Sequence, residues 1–106
     1  MILLKTVRIK RIRAEVVPII NAIDTYERGN EEVVITGWQD PSYRPNGAHA
    51  DGRAIDLRIW NLADPNKLAD HLKAKLYPLS KHYIILWGDD GHRDHIHVGY
   101  HLEERK

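Results

Sequence analysis

The sequence predicts an α+β domain in which a small antiparallel β-sheet is flanked by helices. The 106 residues fit one domain, and they contain neither a second set of core segments nor a long linker. Two segments carry apolar residues at helical spacing, and others are β-branched or alternate between apolar and polar residues. The resulting order of helix, two strands, helix and hairpin is typical of an α+β fold on an antiparallel sheet. We therefore expect residues 1–106 to form a single domain.

The N-terminal third predicts one helix. Residues 4–12 alternate loosely between apolar and basic side chains, so an edge strand and a first helical turn are both compatible with them. From Pro18, which suits the first turn of a helix, apolar residues recur at helical spacing until the Gly-Asn pair at residues 29–30. This run is the first predicted helix.

Two strands surround a polar loop in the middle of the chain. Residues 33–36 read Val-Val-Ile-Thr, a short β-branched run typical of a strand. The loop that follows contains Pro41, Pro45 and Gly47. Residues 53–60 then alternate between apolar and polar side chains, which predicts a strand with one face toward the core and one polar face.

The last part of the chain predicts a helix followed by a hairpin. The Asp-Pro pair at residues 64–65 begins the second helix, which ends at the Tyr-Pro pair of residues 77–78. Residues 82–87 form a further predicted strand, and Asp-Asp-Gly at 89–91 is a turn. The last strand covers residues 95–100.

Composition narrows the classes of protein that fit. The absence of cysteine excludes disulfides and thiolate zinc sites, so a zinc ion would be bound by imidazole and carboxylate groups. No stretch approaches the ~20 apolar residues of a membrane helix, and no apolar segment resembles a signal peptide. We therefore expect synthesis in the cytoplasm without a membrane segment. Five basic residues precede the first acidic one: Lys5, Arg8, Lys10, Arg11 and Arg13. We interpret them as a solvated face and do not expect nucleic-acid binding.

Histidines cluster in two polar segments. Four of the seven lie in residues 49–56 and 92–97. His95 and His97 are two residues apart, so on a strand they project from one face, about 6 to 7 Å apart. Asp56 lies on the polar face of its own strand. Each histidine alone is compatible with an ordinary surface residue, but together the cluster predicts a metal site with three or four ligands drawn from His49, Asp56, His95 and His97.

These segments resemble a family of zinc peptidases. Residues 49–56, His-Ala-Asp-Gly-Arg-Ala-Ile-Asp, resemble the HxxGxAxD motif of the zinc D-Ala-D-Ala carboxypeptidases and L-alanyl-D-glutamate endopeptidases, and residues 95–97 resemble their HxH motif. The group also includes lysostaphin-like peptidases and the hedgehog signalling domain. The resemblance covers roughly residues 18–100 and implies a hedgehog- and DD-peptidase-like fold with one zinc ion per chain.

The resemblance also implies a role for each residue. His49, Asp56 and His97 would bind the zinc, and His95 would lie beside it and hydrogen-bond the oxyanion of the reaction. Asp94, three residues before the last ligand, would act as general base and then general acid. On a regular strand Asp94 would face away from His97. We therefore expect Asp94 to lie where the preceding turn opens into the strand.

Other positions leave alternatives open. His92 completes a His-x-x-His-x-His string and could share or replace the role of Asp94. Many members of the family carry a Ser-Gly-Tyr-Arg-like segment whose arginine binds substrate, whereas residues 36–39 read Thr-Gly-Trp-Gln. Arg44 is the substitute candidate for substrate binding, against the alternative of a solvated arginine. The remaining histidines are expected to be ordinary surface or helix residues: His71, His82 and His101.

The implied function is hydrolysis of peptide bonds in the stem peptides of bacterial peptidoglycan. An endopeptidase is favoured over a carboxypeptidase because the family's substrate-binding arginine is missing from its usual place. Phage lysis enzymes are the nearest kind, and such an enzyme would act on the cell wall as a monomer after another factor releases it. Two alternatives remain: a non-catalytic zinc-bound interaction module of the same fold, and a nucleic-acid binder with a structural metal.

Overall fold

Residues 1–39, 52–89 and 91–106 are the part of the chain that the computed structural model describes. They form two α-helices and five β-strands, with a short 3-10 helix before the first α-helix. The helices are α1, Val17–Glu27, and α2, Pro65–Leu76. The strands are β1, Ile2–Leu3, β2, Val34–Gly37, β3, Ala54–Arg58, β4, Tyr83–Leu86, and β5, His95–Tyr100. The predicted α+β class is confirmed.

The five strands form one sheet in the order β1-β2-β3-β5-β4. Neighbouring strands in the series β2-β3-β5-β4 are antiparallel, but β1 pairs with β2 in parallel. The prediction of an antiparallel sheet is therefore wrong at this edge, and the sheet is mixed. The physical reason is that α1 connects β1 to β2. A helical crossover of this kind allows the second strand to run in the same direction as the first.

Residues 4–12, which lie between β1 and the short 3-10 helix, form neither of the two structures expected of them. They contain no regular helix or strand, and Val7 and Ile9 pack against the core. The side chain of Gln39 fixes their path, because Gln39 Oε1 accepts a hydrogen bond of 2.7 Å from the Lys10 amide. The Gln39 amide donates to Arg8 O at 2.9 Å. The basic segment is thus held against the end of β2.

Local signals explain where both helices begin and end. Each has a proline in its first turn, and the Asp64 carboxylate caps α2 by accepting from the Asn66 amide at 3.0 Å. At the end of α1, the Asn30 side chain donates to Tyr26 O at 3.0 Å, which satisfies a terminal carbonyl. Among the described residues, no helix has the length and apolarity that crossing a membrane requires.

The two central strands separate the core from a polar face. Ile55 and Leu57 of β3, together with Ile96 and Val98 of β5, are fully buried and belong to the same core cluster as the helices. Because side chains alternate along a strand, the intervening residues point to the opposite face of the sheet. That face carries the polar residues on which the sequence prediction rests: Asp56, Arg58, His95 and His97.

Candidate functional site

The centre of the site is the pair formed by Asp56 and His97. These residues are register partners on β3 and β5, and both are largely shielded from solvent. Asp56 Oδ1 lies 3.5 Å from His97 Nδ1. Two donors on a tetrahedral zinc lie about 3.3 to 3.5 Å apart, given Zn–N and Zn–O bonds of about 2.0 to 2.2 Å. The donor types and their separation therefore fit a shared zinc ion without rearrangement of the strands.

An irregularity in β2 makes room for the Asp56 carboxylate. Ile35 pairs with Leu57, but Gly37 rather than Thr36 stands opposite Asp56, because the register shifts between these positions. A Cβ atom at Gly37 would lie 3.1 Å from Asp56 Oδ2. The bulge thus places the residue without a side chain beside the carboxylate. The sequence prediction treated Gly37 only as part of a departure from the family's motif.

His95 connects the central pair to Asp94. Its Nε2 lies 3.7 Å from Asp56 Oδ1, and its Nδ1 lies 2.7 Å from Asp94 Oδ1. A carboxylate only accepts hydrogen bonds, so His95 Nδ1 carries the proton of this contact. The hydrogen bond from His95, aided by the Asp94 backbone amide, lowers the pKa of the Asp94 carboxyl below its ordinary value. Asp94 is therefore ionised at neutral pH.

Asp94 precedes the first residue of β5, in the bend that leads out of the β4–β5 turn. This position meets the geometric expectation drawn from the sequence, since a residue inside the regular strand would face away from His97. Its side chain is 91% exposed. Asp94 is thus accessible to a substrate lying over the polar face, and His95 stands between it and Asp56.

His92 forms a second carboxylate–histidine pair at the same end of the sheet. Its Nδ1 donates to Asp89 Oδ1 at 2.7 Å, which leaves Nε2 of the neutral ring with a lone pair. The His92 ring lies 5.2 Å from the His95 ring and 5.7 Å from the His97 ring, measured between centroids. The structure thus brings His92 into the same group of side chains as the other predicted residues.

His101 joins this group, and its expected role as an ordinary surface residue is wrong. His101 Nε2 lies 2.7 Å from His97 Nε2, and the two ring centroids are 4.9 Å apart. His97 and His101 are four residues apart with Gly99 between them, and this spacing indicates that both side chains lie on the same face of the strand. The sequence prediction missed it because two residues four apart on a straight strand are too distant to touch, and β5 ends at Tyr100.

Two of the predicted site residues lie outside the described part of the chain. These are the expected ligand His49 and the substrate-binding candidate Arg44, both within residues 40–51. Within residues 1–39, 52–89 and 91–106, no three His, Asp or Glu side chains form a group suited to holding a metal ion. Of the three predicted ligands, the structure describes Asp56 and His97, and His49 lies outside the described residues.

No protein-family model, curated protein or solved structure matches this chain. The resemblance to zinc peptidases stays a prediction that depends on the residues themselves. Its two sources are the motifs at 49–56 and 95–97 and the arrangement of side chains around Asp56.

Proposed function

We propose that this protein is a zinc-dependent peptidase that cleaves peptide bonds in the stem peptides of bacterial peptidoglycan. The observation that supports it most directly is the approach of Asp56 Oδ1 to within 3.5 Å of His97 Nδ1 on paired positions of β3 and β5. The motif that contains Asp56 also contains His49, and the motif that contains His97 also contains His95. Two separate sequence motifs thus meet at one point in space.

His49, Asp56 and His97 would hold one zinc ion per chain. Imidazole and carboxylate are the ligands of many catalytic zinc sites, in which three protein groups leave the fourth position open. Zinc bound there would act as a Lewis acid toward a peptide carbonyl and would activate water as a nucleophile at neutral pH.

Asp94 would carry the proton during hydrolysis. As an ionised carboxylate it can accept a proton from the attacking water and then deliver this proton to the nitrogen of the leaving amine. His95 Nδ1 donates a hydrogen bond of 2.7 Å to Asp94 Oδ1, which orients the Asp94 carboxylate. His95 would in addition donate toward the oxyanion that develops on the substrate carbonyl if its Nε2 is protonated.

His92 is the competing candidate for the proton transfer. Its contact with Asp89 fixes the tautomer that leaves Nε2 free to accept a proton, which is the arrangement of a general base. The two candidates differ in a measurable way, since Asp94→Ala removes the acid group next to His95 while His92→Ala leaves that pair intact. The residue whose replacement abolishes hydrolysis while zinc is retained is the one that transfers the proton.

The environment of Gln39 favours an endopeptidase over a carboxypeptidase. Gln39 stands where the resemblance would place the arginine that binds a substrate carboxylate. Its side-chain oxygen accepts from the Lys10 amide at 2.7 Å, so it holds the N-terminal segment instead. A peptidase without that arginine has less need of a free C-terminal carboxylate on its substrate, and Arg44 would contact the stem peptide.

The proposal is tested by measuring zinc content and the release of new amino groups from purified peptidoglycan. We expect one zinc per chain in the wild type, hydrolysis that His97→Ala abolishes, and loss of hydrolysis with retention of zinc in Asp94→Ala or His92→Ala. His71→Ala is the control, because His71 contacts Ala22 and Thr25 between the two helices. Zinc without hydrolysis would favour the non-catalytic interaction module, and a wild type that binds no zinc would refute the proposal.

A further inference from the structure

The two ring nitrogens of His97 have different partners. Nδ1 faces Asp56 Oδ1 at 3.5 Å, whereas Nε2 lies 2.7 Å from Nε2 of His101. His97 is buried, so each of these contacts takes place away from bulk solvent. The ring therefore links the proposed metal position on one side to a second histidine on the other.

Two neutral imidazole nitrogens at hydrogen-bond distance share one proton, so one ring donates and the other accepts. A ligand nitrogen must present a lone pair to the metal, which requires His97 to carry its proton on the opposite nitrogen. If Nδ1 binds zinc, the proton is on Nε2, and the hydrogen bond runs from His97 to His101. In that case His101 accepts through Nε2 and carries its own proton on Nδ1.

We propose that His101 is a positioning residue that fixes the tautomer and ring orientation of His97 by accepting a hydrogen bond from its Nε2–H. This inference rests on the proposed function, because it assigns His97 Nδ1 to the zinc ion. Partners of this kind on ligand histidines commonly change metal affinity by about 10- to 100-fold when they are removed.

The backbone holds His101 in place for this role. The His101 amide donates to His82 O at 2.8 Å, and His82 Nδ1 donates to His101 O at 2.7 Å. The first of these bonds continues the backbone pairing between β4 and β5 by one residue beyond Tyr100, and the second adds the His82 side chain. His101 is thus anchored by its main chain, and its ring contacts His97 at 2.7 Å.

Gly99 separates the two rings along the chain. It pairs with Ala54, and a Cβ atom at this position would lie 2.8 Å from Ala54 Cβ. Because residue 99 is a glycine, β5 itself places no side chain on the polar face between His97 and His101. The sequence His-x-Gly-x-His at residues 97–101 therefore combines a close strand contact with a direct contact between the two histidines.

The test compares His101→Ala with His101→Gln, since glutamine keeps a side-chain oxygen that can accept from His97 Nε2–H. Zinc affinity is measured by competition with a chromophoric chelator. We expect about 10- to 100-fold weaker binding in His101→Ala and recovery of most of this loss in His101→Gln. His71→Ala, which removes a histidine on α2, is the control and should bind zinc as the wild type does.

A second measurement follows the His97 ring by nitrogen NMR in the zinc-free protein at fixed pH. The Asp56 carboxylate, 3.5 Å from His97 Nδ1, favours the Nδ1–H tautomer when zinc is absent. We therefore expect a larger fraction of the Nε2–H tautomer in the wild type and in His101→Gln than in His101→Ala. An unchanged His97 tautomer together with unchanged zinc affinity in His101→Ala would overturn the inference alone. A wild type without zinc affinity would overturn the proposed function, whereas the tautomer measurement would still show whether His101 controls His97.

Discussion

The position of the Asp56 carboxylate depends on the glycine beside it. The register shift in β2 places Gly37 opposite Asp56, and its missing side chain is what leaves space for Asp56 Oδ2. A metal ligand needs a fixed orientation, because a displacement of a few tenths of an ångström changes the bond length to the metal. Gly37 should therefore control zinc binding without contacting the metal itself.

Gly37→Ala should weaken zinc binding about 10-fold or more while leaving the fold intact. The new Cβ would lie 3.1 Å from Asp56 Oδ2 and displace the carboxylate, which is the flexible partner in this contact. Unfolding in urea should show unchanged stability or a gain of about 0.5 to 1 kcal/mol, since alanine loses less backbone entropy than glycine on folding. Gly29→Ala is the matched control, because a Cβ there meets nothing within 4 Å. Equal zinc affinity in both variants would contradict this role.

Tyr26 on α1 provides a pH-dependent signal that is separate from the proposed zinc site. Burial and a hydrogen bond to Glu31 Oε1 raise the pKa of Tyr26 to about 12 from its ordinary value of 10.0. Because the folded state disfavours the phenolate, this contribution to stability is present below pH 10 and is lost as the pH rises from 10 toward 12. Burial also raises the pKa of Tyr83, so phenolate absorbance should show late titration from more than one tyrosine. Tyr26→Phe should remove the step near pH 12.

At the level of secondary-structure elements, β5 contributes to both the core and the site. Ile96 and Val98 are fully buried against the helices, whereas His95 and His97 lie on the polar face. β5 pairs with β3 on one side and with β4 on the other. Close contact between β3 and β5 is therefore necessary for the Asp56–His97 pair.

Gly99→Ala should separate these two strands. A Cβ at residue 99 would lie 2.8 Å from Ala54 Cβ and 3.2 Å from Ala54 Cα, and the backbone cannot yield as a side chain would. Overpacking of this kind costs about 1 to 3 kcal/mol, which urea unfolding can measure. The double variant with Ala54→Gly should recover part of the loss, since the closest of these atoms is then absent. A stable Gly99→Ala single variant would show that the strands can move apart freely.

The elements that sequence reasoning placed well are those with local signals. Both helices have a proline in their first turn, and the charged capping residue Asp64 marks the start of α2. β5 covers residues 95–100 as predicted. The parallel pairing of β1 and the bulge at β2 were not predictable, because each depends on which distant strand lies alongside and in what register.

The same distinction applies to the site. The alternation of residues 53–60 and the two-residue spacing of His95 and His97 were sufficient to place these side chains on one face. The contact of His97 with His101 and the contact of Asp94 with His95 depend on how the chain bends at the two ends of β5. Such bends are set by tertiary contacts, among them the two hydrogen bonds between His82 and His101.

On the scale of the whole molecule, the proposed zinc site lies at the middle of the sheet. The metal would connect β3 to β5, the two strands that also hold the centre of the core. The sequence has no cysteine, so disulfides make no contribution to stability. A ligand that binds the folded chain alone would therefore add directly to its free energy of unfolding.

Zinc should stabilise the protein against heat. At a free zinc concentration 100-fold above the dissociation constant, the gain is about 2.7 kcal/mol, which corresponds to a rise in Tm of roughly 10 to 20 °C for a domain of this size. Calorimetry with zinc and with a chelator measures this difference. The same experiment on His97→Ala should show no rise, and a similar rise in that variant would indicate a metal site elsewhere.

The alternation along β5 also restricts how the sheet can assemble. A slip of one residue against β3 would turn His95 and His97 toward the helices and Ile96 and Val98 toward solvent. Such a misaligned chain would lose its core and its metal ligands in the same step. Zinc binding would consequently report on correct strand alignment, and recovery of metal affinity during refolding would follow the formation of the native core rather than precede it.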